Sequence, residues 1–208
     1  MQNSTAPKTH LKSSQTLSNT KSTLFYLPNL IGYLRLFLLL LSLFLSPRLF
    51  LLFYATSYLL DALDGYLARA YHQESQLGYI LDMALDRASS TVLSLHIAAK
   101  RPALLPFVST IVVLDLVSHL FCVAVSLQSK KSHKDHTSSP DSFSTRILSL
   151  YYNRTTLFLI CFATEAFMLS LLFSHSLLIT LLLTPPFLFK QLTNILQLHQ
   201  ALHWCSLH

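Results

Sequence analysis

Six long runs of Leu, Phe, Ile and Val, nearly free of charge, follow one another between Pro28 and His199, and they restrict the fold more than any other feature. A helix needs about 20 apolar residues to cross the roughly 30 Å of hydrocarbon in a bilayer. The runs read as six such helices, at roughly 28–46, 49–71, 79–100, 103–127, 155–174 and 176–199. With 52% hydrophobic and 12% charged residues the chain has too little charge to cover a water-facing surface, so a soluble globule is close to excluded. The three glycines, Gly32, Gly65 and Gly78, are too few for a transmembrane β-barrel with many turns or for a nucleotide-cradling glycine loop. The expected fold class is all-α, a polytopic membrane protein with six transmembrane helices. Pro28 suits a first helical turn, Pro47 and Pro102 mark breaks, and Pro185–Pro186 is expected to kink the last helix.

Residues 1–23 carry Lys8, Lys12 and Lys21 among Ser, Thr, Asn and Gln, with no acidic residue and no apolar core, and they read as a disordered basic tail rather than a secretory signal. Their composition also suits an organellar transit peptide, although no Arg precedes Arg35. Residues 24–200 form the membrane domain and 201–208 a C-terminal tail. The segment 128–154, with Lys130, Lys131, Lys134, Arg146 and Arg154 against Asp135 and Asp141, reads as a solvated basic loop. Six spans put the tail, the 72–78 turn, this loop and the C-terminus on one side, and only Arg48, Lys100 and Arg101 on the other. Excess Lys and Arg stay cytoplasmic, so both termini and the region 61–86 are expected to face the cytoplasm. The formal charge of +6 then meets anionic lipid headgroups rather than nucleic acid. Cys122, Cys161 and Cys205 have no metal or disulfide spacing.

The nine acidic residues are unevenly placed, with Asp61, Asp64, Asp82 and Asp86 all on the second and third expected helices. An ionised Asp in a membrane helix costs roughly 2.5–3.5 kcal/mol on insertion scales, so four together need a positive partner. Arg69 and Arg87 are the only cations in or beside that window, which leaves a metal ion as the natural source of the missing charge. Spacings of three and four residues put each pair on one face of its helix, and the short connection makes the helices antiparallel neighbours. Hard oxygen donors favour Mg²⁺ or Mn²⁺, and two such ions can hold a diphosphate for in-line attack. Gly65 within a helix costs about 1 kcal/mol relative to Ala, as expected where a ligand or a backbone approaches closely.

The segment Asp61-x2-Asp64-Gly65-x2-Ala68-Arg69-x8-Gly78-x3-Asp82-x3-Asp86 resembles the signature of the CDP-alcohol phosphotransferase family at every specified position. The resemblance implies a six-helix membrane enzyme, a homodimer with two divalent cations, that transfers a phosphoalcohol group from a CDP-linked donor to an alcohol and releases CMP. It implies that Asp61, Asp64, Asp82 and Asp86 bind metal and that Asp86 is also the catalytic base. Gly65, Ala68, Arg69 and Gly78, with Asn29 and Arg35 from the first helix, would then bind the nucleotide and diphosphate of CDP-diacylglycerol.

The stretches Pro28–Tyr33, Tyr58–Gly65, Leu81–Met83, Leu114–Asp115, Ser118–His119, Ser132–Lys134 and Leu150–Tyr152 resemble the eukaryotic branch whose acceptor is myo-inositol, which implies the endoplasmic reticulum membrane. On that resemblance Lys134, Tyr151 and Arg154 contact the acceptor, and a neutral polyol suits such polar groups. Glycerol 3-phosphate would need a denser cationic pocket, which the same basic residues can also supply, so it stays as the alternative acceptor. A cation transporter that uses the Asp cluster as its pathway is the alternative of another class. Asp115 and His119, four residues apart, read either as a hydrogen-bonded pair fixing helix packing or as a substrate contact. Glu165 reaches either the cavity or a neighbouring helix, and His199 and His203 read as interfacial residues.

Overall fold

The computed structural model describes residues 23–129, 143–173 and 176–207, and these residues contain helices and no strand. They form two compact units, one up to Asp86 and one from Arg87 onward. The first holds α1 (Leu27–Ser42), α2 (Pro47–Ala70) and the start of α3 (Gln76–Lys100). The second holds the rest of α3, a 3₁₀ turn (Pro102–Leu104), α4 (Leu105–Ser129), α5 (Phe143–Tyr151), α6 (Arg154–Phe173) and α7 (Leu177–Leu207). The basic tail and Lys130–Lys134 fall outside the described residues.

In the first unit α1 and α2 both begin with a proline in the first turn, where its missing N–H costs nothing and its φ is already helical. α1 ends earlier than expected. Its last amides, Leu43, Phe44 and Leu45, bond three residues back to Leu40, Leu41 and Ser42, a tightening that closes the helix ahead of Pro47. Its 16 residues make about 24 Å at 1.5 Å per residue, short of a bilayer core.

α2 ends in a Schellman motif: the Gln73 N–H reaches the Ala68 carbonyl at 2.9 Å, the His72 N–H reaches that of Arg69 at 3.4 Å, and His72 takes φ 53°. Gln73 Oε1 accepts the Leu27 N–H at 3.0 Å, which ties the start of α1 to the turn between α2 and α3. Two glycines let α1 approach α3 closely: a Cβ on Gly32 would stand 2.6 Å from Leu81 Cδ2, and one on Gly78 would stand 2.9 Å from Asn29 Oδ1. Leu39, Phe50, Tyr54 and Leu85 fill the core of this unit.

The second unit is built on α7, 31 residues that run through Pro185 and Pro186 without ending and continue to Leu207, where a tail was expected from residue 201. Phe187 meets Phe167 of α6 at 4.2 Å and Phe107 of α4 at 6.0 Å between ring centroids. The segment 128–154 is not a plain solvated loop, because α5 occupies its last part. Thr145, Leu148 and Tyr151 are buried on one face of α5, at intervals of three, while Arg146, Ser149 and Leu150 face outward. The basic residues at both ends of the segment mask this short period.

Two stretches, Pro102–Gln128 and Arg154–Phe173, are long and apolar enough to cross a bilayer. Large apolar side chains also stand exposed along both units, among them Phe37, Leu59, Leu120, Phe158, Leu178 and Leu182. A water-soluble monomer rarely exposes so many large apolar side chains, whereas lipid covers them at no cost. Because His72 is a Cβ-bearing residue in the left-handed region, His72→Gly is expected to stabilise the protein by about 1 kcal/mol. Thermal unfolding in detergent measures this, and an unchanged or lower midpoint would contradict the cap described.

Candidate active site

The four aspartates of the sequence signature meet within the first unit. Asp61 and Asp64 project from α2 and Asp82 and Asp86 from α3, and oxygens of Asp61, Asp64 and Asp82 all lie within 4.8 Å of one another. Asp86 joins them through a residue of α1. The Arg35 guanidinium places Nη1 2.8 Å from Asp64 Oδ2 and 3.1 Å from Asp82 Oδ1, and Nη2 2.8 Å from Asp61 Oδ1 and 3.0 Å from Asp86 Oδ1. Each terminal nitrogen thus takes one carboxylate from α2 and one from α3. Arg35 is 2% exposed, while the Asp61 and Asp82 side chains are 34% and 42% exposed, so the cluster is sealed on the α1 side and open on the other.

One guanidinium against four carboxyl groups leaves the acidic groups in excess in a small volume. The positive partner sought near the acidic window therefore comes in part from α1, 26 residues before Asp61, where sequence proximity gives no hint of it. The charge still unmatched, the hard oxygen donors and their mutual spacing all suit a divalent cation of the Mg²⁺ or Mn²⁺ kind.

Around this cluster Gly65 has no neighbouring backbone against it. A Cβ there would meet only the Arg69 guanidinium, at 3.5 Å, so the close approach expected from sequence is left to that side chain or to a ligand. Ala68 is half-buried and Arg69 exposed on the same helix. Asn29 is buried at the junction of α1 and α3, where its Nδ2 donates to the Thr23 carbonyl at 2.7 Å and its Oδ1 faces Gly78.

The expected acceptor residues belong to the second unit or lie outside the description. Lys134 is outside the described residues, Arg154 is exposed at the start of α6, and Tyr151 is 3% exposed beneath the Lys190 ammonium, 5.4 Å from its ring centre. Burial holds the Tyr151 phenol well above its ordinary pKa, so it stays protonated and able to donate.

The second unit also resolves the Asp115–His119 pair. Asp115 Oδ1 accepts from Arg87 Nη1 at 2.9 Å and from Asn194 Nδ2 at 3.0 Å, and Lys190 Nζ donates to Asn194 Oδ1 at 2.8 Å. Arg87 can only donate, so His119 Nε2 accepts from it at 2.9 Å, and His119 Nδ1 donates to the Asp115 carbonyl at 2.8 Å. Sequence reasoning placed Arg87 beside the acidic window rather than with Asp115, and it missed Lys190 and Asn194. The available signal was the Lys190–Asn194 pair, four residues apart in an apolar helix. Glu165 accepts from Ser90 Oγ at 3.3 Å and so reaches a neighbouring helix, beside a cavity of about 40 Å³ that Asp115 also lines.

Residues 25–198 match the sequence profile of the CDP-alcohol phosphatidyltransferase family, and the chain belongs to that family. It is 40% identical over 190 residues to a CDP-diacylglycerol–inositol 3-phosphatidyltransferase of Saccharomyces cerevisiae, which covers 86% of this chain and 84% of the relative. It is 36% identical over 206 residues to the enzyme of the same name from Candida albicans, covering 93% and 88%. With the one from Schizosaccharomyces pombe the identity is 39% over 152 residues, covering 71% and 62%. No solved structure matches the chain significantly.

The polar network of the second unit predicts a stability defect. Asp115→Ala leaves Arg87 and Lys190 without their shared carboxylate in a largely buried setting, and should cost about 3 kcal/mol. A lowered unfolding midpoint with KM for both substrates within about twofold of wild type is the expected result. A rise in one substrate's KM at unchanged stability would instead assign Asp115 to binding.

Proposed function

We propose that this chain transfers the phosphatidyl group of CDP-diacylglycerol to myo-inositol and releases CMP. One observation carries the reading: the carboxylates of the family signature converge on one open-sided cluster in a chain 36–40% identical to enzymes named for this reaction. Asp61, Asp64 and Asp82 would hold divalent cations, Mg²⁺ or Mn²⁺ and two in number, with Asp86 completing the set. Bound there, the ions would neutralise the diphosphate and polarise its phosphorus.

The chain's own groups would do the rest. Asp86 takes the proton from the inositol hydroxyl, whose oxygen forms a bond to the β-phosphorus. The bond from that phosphorus to the bridging oxygen breaks, and CMP leaves with the electron pair. Arg69, exposed over the bare Gly65 face, would meet phosphate as a permanent cation, and Ala68, Gly78, Asn29 and Arg35 would complete the donor side. Lys134, Tyr151 and Arg154 would face the acceptor. Positioning and charge neutralisation supply most of the rate.

In this reading the membrane domain crosses the bilayer six times, with the Asp cluster at the cytoplasmic surface of the endoplasmic reticulum and with a second copy as its partner. The donor, a lipid, then reaches the cluster from the bilayer and inositol from the cytoplasm. The lipid-like exposed surface and the excess of basic residues on one side support this arrangement.

Purified protein given CDP-diacylglycerol with inositol, glycerol 3-phosphate or serine should release CMP with inositol alone. Turnover with glycerol 3-phosphate instead would redirect the assignment to another acceptor. Asp86→Asn should still bind donor but lose turnover by roughly 10²–10⁴-fold, the usual contribution of a general base. Wild-type turnover in that variant would remove Asp86 from its role.

A further inference from the structure

Arg35 spreads two nitrogens over four carboxylates and joins α2 to α3 twice, once through Asp64 and Asp82 and once through Asp61 and Asp86. Its third nitrogen, Nε, is buried and has no hydrogen-bond partner. A guanidinium is planar, always charged and fork-shaped, so it can span two acidic pairs in a way that a single ammonium cannot. Yet the position that best serves the four acids leaves one of its own donors unmet in a buried setting, which is unfavourable.

We propose that Arg35 is a resident counter-cation of the acidic cluster: it cross-links the two pairs, and it competes with divalent cations for them. The inference rests on the reading of the cluster as a divalent-cation site. Four like charges in this volume repel one another strongly at the low effective dielectric of a membrane helix bundle. Arg35 places a positive group among them, and its four contacts join α2 to α3.

The same contacts oppose ion binding, because Asp64 Oδ2, Asp82 Oδ1, Asp61 Oδ1 and Asp86 Oδ1 are all held by the guanidinium. Entry of a divalent cation exchanges a single charge for a double one and frees the fork. A freed guanidinium, Nε included, is a donor set that matches a diphosphate. Arg35 thus links ion entry to donor capture and weakens ion binding while no donor is present.

The test uses the full-length protein in detergent without nucleotide, with Mn²⁺ binding followed by electron paramagnetic resonance and thermal unfolding followed in chelator and in Mn²⁺. Arg35→Gln should bind Mn²⁺ at least about tenfold more tightly than wild type, because one repelling charge is gone. It should also unfold at a lower temperature in chelator and gain more from added Mn²⁺. Arg35→Lys keeps the charge and loses the fork, so its Mn²⁺ affinity should stay within about threefold of wild type while its stability in chelator falls.

An Arg35→Gln protein that folds and binds Mn²⁺ no more tightly than wild type overturns the proposal. If the variant does not fold, the wild-type protein decides. The Arg35 side-chain ¹⁵N signal should move during a Mg²⁺ titration and saturate together with the Mg²⁺-induced thermal shift, and a signal that stays still while Mg²⁺ binds overturns the proposal. Wild-type protein that binds neither ion would remove the cation site itself, a separate failure from unchanged affinity in the variant.

Discussion

Four aspartates from two helices can share a small volume only when positive charge stands among them, and in this chain the first such charge comes from a third helix. Arg35 reaches the cluster because α1 lies close against the start of α3, where Gly32 leaves room for the Leu81 side chain and Gly78 for that of Asn29. Arg35 matches only part of the acidic groups, and the oxygens on the open side of the cluster are of a kind and spacing that suit a divalent cation.

The second unit solves a similar problem in a different way. Its buried charges, Arg87, Lys190 and Asp115, pair with one another and with Asn194 and His119. Lys190, Thr193, Asn194 and Gln197 form a buried polar stripe on α7 at helical spacing, and Gln197 donates to the Tyr152 hydroxyl at 2.9 Å. Here the charged groups are paired within the unit, which points to helix packing, although Gln191 Oε1, Gln197 Oε1 and Gln200 Nε2 are buried without a hydrogen bond; the acidic cluster of the first unit is partly exposed. Between them the units show both uses of ionisable groups in apolar helices, one structural and one available for chemistry.

The regular apolar runs and the prolines made most helices legible in advance, since a long uncharged stretch bounded by proline has few alternatives to a helix. α5 was not legible because its buried face is only three residues deep and lies among basic residues that dominate the composition. The short α1 was not legible either, because Leu43, Phe44 and Leu45 are as apolar as the helix they end, and only the i to i−3 bonding before Pro47 closes it. Asp115 and His119 were visible as a pair at helical spacing. Their partners on α7 lie more than 70 residues away in sequence, a distance over which periodicity carries no information.

The sequence alone determined that Asp61, Asp64, Asp82 and Asp86 fall as two pairs, each on one face of its own helix: number, spacing and helix placement are local properties, and local spacing on a helix dictates which side chains share a face. Tertiary structure decided which cation meets those acids, that Asn29 is occupied in packing against Gly78, and that Asp115 is held by Arg87 and Asn194. Such pairings depend on how closely helices approach and on what burial leaves unsatisfied. Both follow from three-dimensional packing between residues that are distant along the chain.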